Sequence, residues 1–125
     1  MIKFLIVDDE HDVEMLFRHK FRKEVQARLF DFTFAFSGKE ALAFLETLEP
    51  FDVVLVLTDI NMPGMTGLEL LAQIRKLFPS LNVIIITAYA DEENRIKAIQ
   101  SGATDLFAKP VDFKILKERI LSLKN

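Results

Sequence analysis

Short apolar runs alternate along the chain with longer segments in which apolar residues recur every three or four positions. Short apolar or alternating runs are typical of strands, and the longer spacing is typical of amphipathic helices. The pattern predicts five strands, each followed by a helix. The predicted strands cover residues 3–7, 30–36, 52–58, 82–87 and 105–108, and the predicted helices cover residues 11–26, 38–48, 66–78, 91–101 and 112–123.

Capping and breaking residues support these helix boundaries. Ser37 precedes the second predicted helix and Glu40 follows three residues later, which predicts a capping box. Pro50 and Pro79 follow the second and third helices, and Gly102 follows the fourth. Proline and glycine commonly end helices, so each of these helices is predicted to stop before the next strand.

The alternation of strand and helix predicts an α/β fold with one doubly wound, five-stranded parallel sheet covered by helices on both faces. A chain of 125 residues fits one such domain. Twelve Phe residues against one Tyr and no Trp indicate a core filled by rings that need no hydrogen-bond partner. The second strand places Phe at every other position from Phe30 to Phe36, which predicts one aromatic face.

Composition excludes several classes of function. The net charge of −3 argues against a general nucleic-acid surface, and the absence of Cys excludes disulfides and thiolate metal sites. The acids Asp8, Asp9 and Glu10 interrupt the first apolar run too early for a signal peptide. No apolar run reaches the roughly 20 residues of a membrane helix. We expect a cytoplasmic protein without direct contact to nucleic acid or membrane.

Polar side chains stand at the carboxyl ends of four predicted strands. Asp8 and Asp9 follow the first, Asp59 the third and Lys109 the fifth, and Thr87 ends the fourth. Ligands bind at this edge in open parallel sheets. Each residue also has a structural alternative, since acids cap helices or start turns, and Thr and Lys are ordinary at strand ends.

The combination favours a metal site over separate structural roles. Three acids packed together repel one another unless a cation or a proton relieves them. Oxygen ligands favour a hard ion such as Mg²⁺, which keeps several waters and serves phosphoryl chemistry. A nearby ammonium and hydroxyl would neutralise and bind phosphoryl oxygens.

Five motifs resemble the response-regulator receiver family of two-component signalling, which includes the chemotaxis regulators. They are Val-Asp-Asp-Glu at 7–10, Thr-Asp-Ile-Asn-Met-Pro-Gly at 58–64, Ile-Thr-Ala at 86–88, Gly-Ala at 102–103 and Lys-Pro at 109–110. The match spans nearly the whole chain. The resemblance implies a single receiver domain over residues 1–125, with a flavodoxin-like sheet of strand order 2-1-3-4-5.

The resemblance also implies roles for the residues in the motifs. Asp59 is expected to accept a phosphoryl group from a histidine kinase or phosphotransfer protein, while Thr87 and Lys109 hold phosphoryl oxygens. Such a protein catalyses its own phosphorylation and dephosphorylation and turns over no separate substrate, so we do not expect an enzyme in the usual sense. The implied Mg²⁺ ligands are Asp8, Asp9, Asp59 and the backbone carbonyl of Asn61, and the implied rate-tuning positions are Asn61 and Tyr89.

The implied switch pairs Thr87 with the residue three positions before the lysine. Many family members have Tyr or Phe there and turn it inward, whereas this chain has Leu106, which predicts a weaker or differently wired switch. Phe107 is adjacent but is expected to face the other side of the sheet.

Residues 91–101, 105–108 and 112–123 correspond to the family's output surface. We expect this surface to bind a downstream effector protein or domain, or to form a phosphorylation-dependent homodimer. Mixed charges on it would pair across such an interface, although a solvated helix face predicts the same mixture. These charged residues are Glu92, Arg95, Lys97, Lys114 and Arg119.

The run Asp52–Thr58 is about two residues longer than is usual in the family. A shift of two preserves the alternation of strand side chains, so Asp59 is still expected to point into the site. The extra length is expected at the start of the strand or after Pro50.

Three alternative functions remain from the residues. A flavodoxin-like cofactor binder needs a phosphate-cradling loop after the first strand, but Asp8, Asp9 and Glu10 have the opposite charge. A haloacid-dehalogenase-like phosphatase usually has a second acid where this chain has Asn61. A pseudo-receiver, which binds partners without phosphorylation, would not need the acids and Lys109.

Overall fold

The computed structural model describes residues 1–49 and 54–123. Within them lie five strands and six helices. The strands are β1 (Ile2–Val7), β2 (Phe30–Ala35), β3 (Val54–Thr58), β4 (Asn82–Thr87) and β5 (Asp105–Ala108). The helices are α1 (Asp12–Lys20), α2 (Arg22–Gln26), α3 (Gly38–Leu45), α4 (Gly67–Leu77), α5 (Glu92–Gln100) and α6 (Phe113–Leu123).

The five strands form one parallel sheet in the order β2-β1-β3-β4-β5. This confirms the predicted fold class and strand order. Strand order reverses between β1 and β3, and the switch point in such a sheet opens a crevice at the carboxyl ends of these strands. The acids that follow β1 and β3 therefore lie beside this crevice.

The sheet separates two layers of core. One layer is aliphatic and packs α3, α4 and α5 against side chains such as Leu5, Val56 and Ile85. The other packs α1, α2 and α6 against the opposite face. Leu106 belongs to the first layer and Phe107 packs against the second, which confirms that they face opposite sides of the sheet.

The second layer is an aromatic cluster, as the Phe-rich composition predicted. Phe4 and Phe32 contact each other with ring centroids 4.9 Å apart, and Phe17 meets Phe113 edge to face at 5.2 Å. Edge-to-face and offset pairs of this kind add to the free energy of area burial. Phe36 lies beyond the end of β2 and instead stacks on His11 at 3.9 Å.

The predicted helix over residues 11–26 is two helices rather than one. The backbone leaves helical geometry at Phe21, with φ −109° and ψ 25°, and α2 begins at the next residue. Phe21 is buried and packs on Phe17, Phe30 and Phe113. Periodicity could not reveal the break because the apolar spacing continues through it.

The predicted capping box at the start of α3 is only half formed. The Ser37 hydroxyl accepts a hydrogen bond from the Glu40 N–H at 3.1 Å, but the Glu40 carboxylate accepts from the N–H of Phe36 rather than from that of Ser37. A complete capping box joins Thr66 and Glu69 at the start of α4, where the sequence analysis had not placed one.

Two further expectations concern segment ends. Gly102 follows α5 with φ +98°, a conformation that favours glycine, so its predicted role as a helix stop is confirmed. The extra residues expected at the start of β3 or after Pro50 fall on positions 50–53, outside the described residues. No helix in the described ranges is long and apolar enough to cross a membrane.

Candidate functional site

Hydrogen bonds that continue past the strand ends position the polar residues at the carboxyl edge of the sheet. The Asp8 N–H donates to the Ala35 carbonyl at 3.1 Å, and the Asp59 N–H donates to the Val7 carbonyl at 3.1 Å. On the far side, the Lys109 N–H donates to the Thr87 carbonyl at 2.9 Å. The backbone of each residue is therefore fixed by a neighbouring strand.

Lys109 joins the two buried acids of this edge. Its ammonium donates to Asp8 Oδ2 at 2.8 Å and to Asp59 Oδ2 at 2.9 Å. Only 5% of Asp8 and 8% of Asp59 is exposed. Burial would lower the pKa of Lys109, but the hydrogen bonds to Asp8 and Asp59 outweigh burial and raise its pKa above the ordinary 10.5.

The second oxygen of each acid is held by backbone N–H groups. Asp59 Oδ1 accepts from Ile60 at 2.6 Å and from Asn61 at 3.4 Å, and Asp8 Oδ1 accepts from Glu10 at 3.0 Å. The Asp59 side chain is thus held between its own loop and the ammonium of Lys109.

The other residues predicted for the site surround this cluster. Thr87 is fully buried at the end of β4, and its hydroxyl accepts from the Tyr89 N–H at 3.1 Å. Asp9 is half-buried, Asn61 is exposed and Tyr89 is 57% exposed. Of the two acids after β1, it is Asp8 whose carboxylate contacts the ammonium of Lys109.

The oxygen donors fit a magnesium ion with open water positions. Across residues 1–49 and 54–123, no group of three or more His, Cys, Asp or Glu side chains is arranged to hold a metal ion. Mg²⁺ usually takes only one or two protein carboxylates and keeps waters. Asp8 and Asp59 meet that requirement, since one oxygen of each already lies beside the same cation.

An open cleft of about 1410 Å³ leads from the acids along α1. Asp8, Asp59 and Lys109 line one part of it, and apolar side chains such as Leu16 and Phe113 line another. The cleft therefore combines a charged centre with an apolar wall beside it.

Three tertiary contacts were not predicted from the sequence, and two of them lie beside the site. The backbone of Gly67 lies so close to Asp59 that a Cβ would sit 1.8 Å from the Asp59 carbonyl oxygen. Arg75 donates to the Gly102 carbonyl at 2.9 Å, and the Asn94 side chain donates to the Tyr89 carbonyl at 2.9 Å. Only Gly67 left a signal in the sequence, as a glycine at the start of a predicted helix. The contacts of Arg75 and Asn94 depend on tertiary placement and leave no local signal.

Comparison with known proteins identifies related sequences. A sequence model of the family described as "Response regulator receiver domain" matches residues 4–121. The chain is 44% identical over 107 residues to the DNA-binding transcriptional regulator NtrC of Klebsiella pneumoniae, which covers 86% of this chain and 21% of NtrC. It is 39% identical over 127 residues to the response regulator protein PilR of Pseudomonas aeruginosa, covering 98% of this chain and 27% of PilR. The chain thus spans about a quarter of the length of these relatives.

Solved structures give the same result for the fold. The receiver domain of the Francisella response regulator 1452 matches with a TM-score of 0.82 and 34% identity, covering 97% of this chain and 94% of that one. The response regulator protein TrrA from Thermotoga maritima, solved in complex with Mg(2+)-BeF, matches with a TM-score of 0.78 and 31% identity over 98% of this chain and 99% of TrrA.

Proposed function

The chain belongs to the response regulator receiver domain family, and from this premise we propose that Asp59 accepts a phosphoryl group beside a bound Mg²⁺. The observation that carries the proposal is the ammonium of Lys109, which lies between the buried carboxylates of Asp8 and Asp59. A cation shared by two buried acids beside an open cleft makes these acids candidates for chemistry, here the acceptance of a phosphoryl group.

The nucleophile in the proposed step is Asp59. Its Oδ1 is held by backbone N–H groups, which directs Oδ2 toward the donor. Oδ2 forms a bond to phosphorus while the bond from phosphorus to the imidazole nitrogen of a phosphohistidine breaks, and the departing imidazole takes up a proton. Phosphoryl transfer depends on positioning and on charge stabilisation rather than on further covalent chemistry.

The residues around Asp59 stabilise the transferred group. Lys109 exchanges its bond to Asp59 for one to a phosphoryl oxygen, and Thr87 donates its hydroxyl to another. The residues that would hold Mg²⁺ are Asp8, Asp9, Asp59 and the backbone carbonyl of Asn61, with no more than two of the three carboxylates binding it directly. The ion would neutralise charge that develops on the phosphoryl oxygens.

Asn61 and Tyr89 are proposed to tune the rate at which the phosphoryl group is lost. Both side chains are exposed beside the site, so each can control access of water to the acyl phosphate. The protein modifies itself and has no separate substrate, so its role is regulatory rather than enzymatic in the usual sense.

The proposed phosphoryl donor is a histidine kinase or a phosphotransfer protein of the cytoplasm. Its imidazole must reach Asp59 through the cleft, whose apolar wall would contact the surface around the donor histidine. The proposed output surface is formed by α5, β5 and α6, and it binds an effector protein or domain or a second phosphorylated copy.

The experiment that tests the proposal is intact-mass measurement after incubation with acetyl phosphate, with and without Mg²⁺. We expect a gain of one phosphoryl group in the wild-type protein only with Mg²⁺, and no gain in Asp59→Asn. Asp31→Asn is the control, because Asp31 is an exposed aspartate on β2 and should be phosphorylated like the wild type. No gain in folded wild-type protein, with acetyl phosphate or with a phosphohistidine donor, would favour a pseudo-receiver instead.

A further inference from the structure

The loop between β4 and α5 is held at one residue, Tyr89, from two directions. The N–H of Tyr89 donates to the Thr87 hydroxyl at 3.1 Å, and the carbonyl of Tyr89 accepts from the Asn94 side chain at 2.9 Å. Asn94 is itself fixed, since its N–H donates to Asp91, the N-cap residue of α5, at 2.8 Å. A continuous chain of hydrogen bonds therefore joins the buried hydroxyl of Thr87 to the first turn of α5.

Movement of Thr87 toward a phosphoryl oxygen would break the first bond of this chain. The hydroxyl is fully buried, and its oxygen already serves the Tyr89 N–H. Once that contact is lost, the Asn94 side chain still holds the backbone of Tyr89, so the loop can move only when this bond breaks as well. The stability of the loop before phosphorylation therefore depends in part on Asn94.

The switch position behind the loop is occupied by Leu106 rather than by an aromatic side chain. Leu106 is almost fully buried among Ile85, Ala98 and Ala103 in the aliphatic layer. It has no hydroxyl to exchange partners, and tight packing leaves little room for rotation. Polar contacts along the loop give a direct connection from Thr87 to α5.

We propose that Asn94 is a positioning residue that latches the loop of residues 87–91 in its unphosphorylated form and couples the phosphorylation site to α5. The inference rests on the proposed function of Asp59 and adds its regulation. A contact made only in the unphosphorylated form opposes phosphorylation, because a ligand shifts a two-state equilibrium by its difference in affinity for the two states. The coupling is reciprocal, so removal of the latch should tighten binding of a phosphoryl analogue.

The chain contains a built-in probe for this test, because Tyr89 is its only Tyr and it has no Trp. Beryllofluoride with Mg²⁺ is titrated into the protein while tyrosine fluorescence is recorded. Asn94→Ala should lower the dissociation constant for beryllofluoride by about two- to tenfold, the range that one hydrogen bond accounts for. Amide exchange at Tyr89 in the unliganded protein should become faster as well.

Two further variants make the result specific. Asn94→Asp keeps the size of the side chain and places an acid in the first turn of the helix, where a negative charge is favourable, but it lacks the N–H donor. It should shift affinity in the same direction as Asn94→Ala. Gln100→Ala truncates an exposed amide at the other end of α5 and should leave both affinity and exchange unchanged.

The outcomes separate the latch from the proposed function. Faster exchange at Tyr89 with unchanged or weaker beryllofluoride binding in both Asn94 variants would overturn the coupling and leave Asn94 with a structural role. Unchanged amide exchange at Tyr89 in both Asn94 variants would show that Asn94 does not hold the loop. A wild-type protein that gains no phosphoryl group in the mass experiment would contradict the proposed function and the coupling together, whereas the exchange measurement would still decide whether the latch exists.

Discussion

The ammonium of Lys109 supplies positive charge to the two buried carboxylates beside it. Asp8 and Asp59 are buried and share this one cation. Removing one partner of such a group leaves a buried charge without compensation, which costs more than the pair contributes. Under the proposed function, the same side chain stabilises the fold before phosphorylation and binds the phosphoryl group after it.

At this scale we predict that Lys109→Met loses about 2 kcal/mol of unfolding free energy at neutral pH. The raised pKa of Lys109 means that its contribution is fully present below the ordinary value of 10.5 and disappears as pH rises through the higher folded value. Urea denaturation from neutral to alkaline pH should therefore show the wild type and the variant converging at high pH.

The matched control is Lys39→Met, which removes an exposed lysine on α3. Its unfolding free energy should stay within about 0.5 kcal/mol of the wild type. A Lys109→Met difference that is constant across the whole pH range would contradict the assignment to the charged ammonium.

Helix α4 starts against the backbone of the loop that carries Asp59. The Gly67 N–H donates to the Ile60 carbonyl at 2.7 Å, and the capping box of Thr66 and Glu69 fixes the first turn. The first turn of α4 and the loop that carries Asp59 thus form one unit. Their close approach depends on Gly67, which has no side chain.

We predict that Gly67→Ala destabilises the protein by about 3 kcal/mol, as overpacking does. At an ordinary helical position the same substitution would stabilise by up to about 1 kcal/mol. Gly38→Ala is the comparison, because Gly38 also begins a helix but a Cβ there would meet the flexible side chain of Met65. Thermal unfolding of both variants measures the contrast, and equal losses would show that the approach to Asp59 is not the limiting contact.

The sequence predicted most elements of this structure and the residue types at its carboxyl edge. Periodicity and the geometry of a parallel sheet are enough to predict five strands with acids, a hydroxyl and a lysine at their carboxyl ends. The break at Phe21, the close approach of Gly67 and the contact of Asn94 with Tyr89 were not predicted. Each depends on where side chains or backbones meet across the fold, which local patterns do not encode.

The proposed output surface lies around the edge strand β5. Helix α5 packs on the aliphatic layer and α6 on the aromatic layer, so the two helices flank this strand. Arg119 pairs with Asp105 at 2.8 Å and Lys97 pairs with Glu93 at 3.1 Å, so both have partners within the chain. Exposed apolar side chains, including Ile99 and Ile115, are then the stronger basis for a partner contact on this surface.

We predict that the protein dimerises through this surface when phosphorylated. Sedimentation velocity should show a shift from monomer to dimer on addition of beryllofluoride and Mg²⁺. Ile99→Asp should abolish the shift, because it places a charge in an apolar contact. Leu29→Asp changes a similarly exposed residue beside β2 at the other edge of the sheet and should dimerise normally. A monomer in both states would restrict the output to binding a different protein.

The contact between Asp8 and Lys109 joins residues that are 101 positions apart. Because Asp8 follows the first strand and Lys109 follows the fifth, the charge cluster can form only after the chain has been synthesised past Lys109 and has folded. Under the proposed function, a nascent chain that ends before Lys109 would carry the acceptor acid without this ammonium. Competence to receive a phosphoryl group would then arise late in the synthesis of the domain.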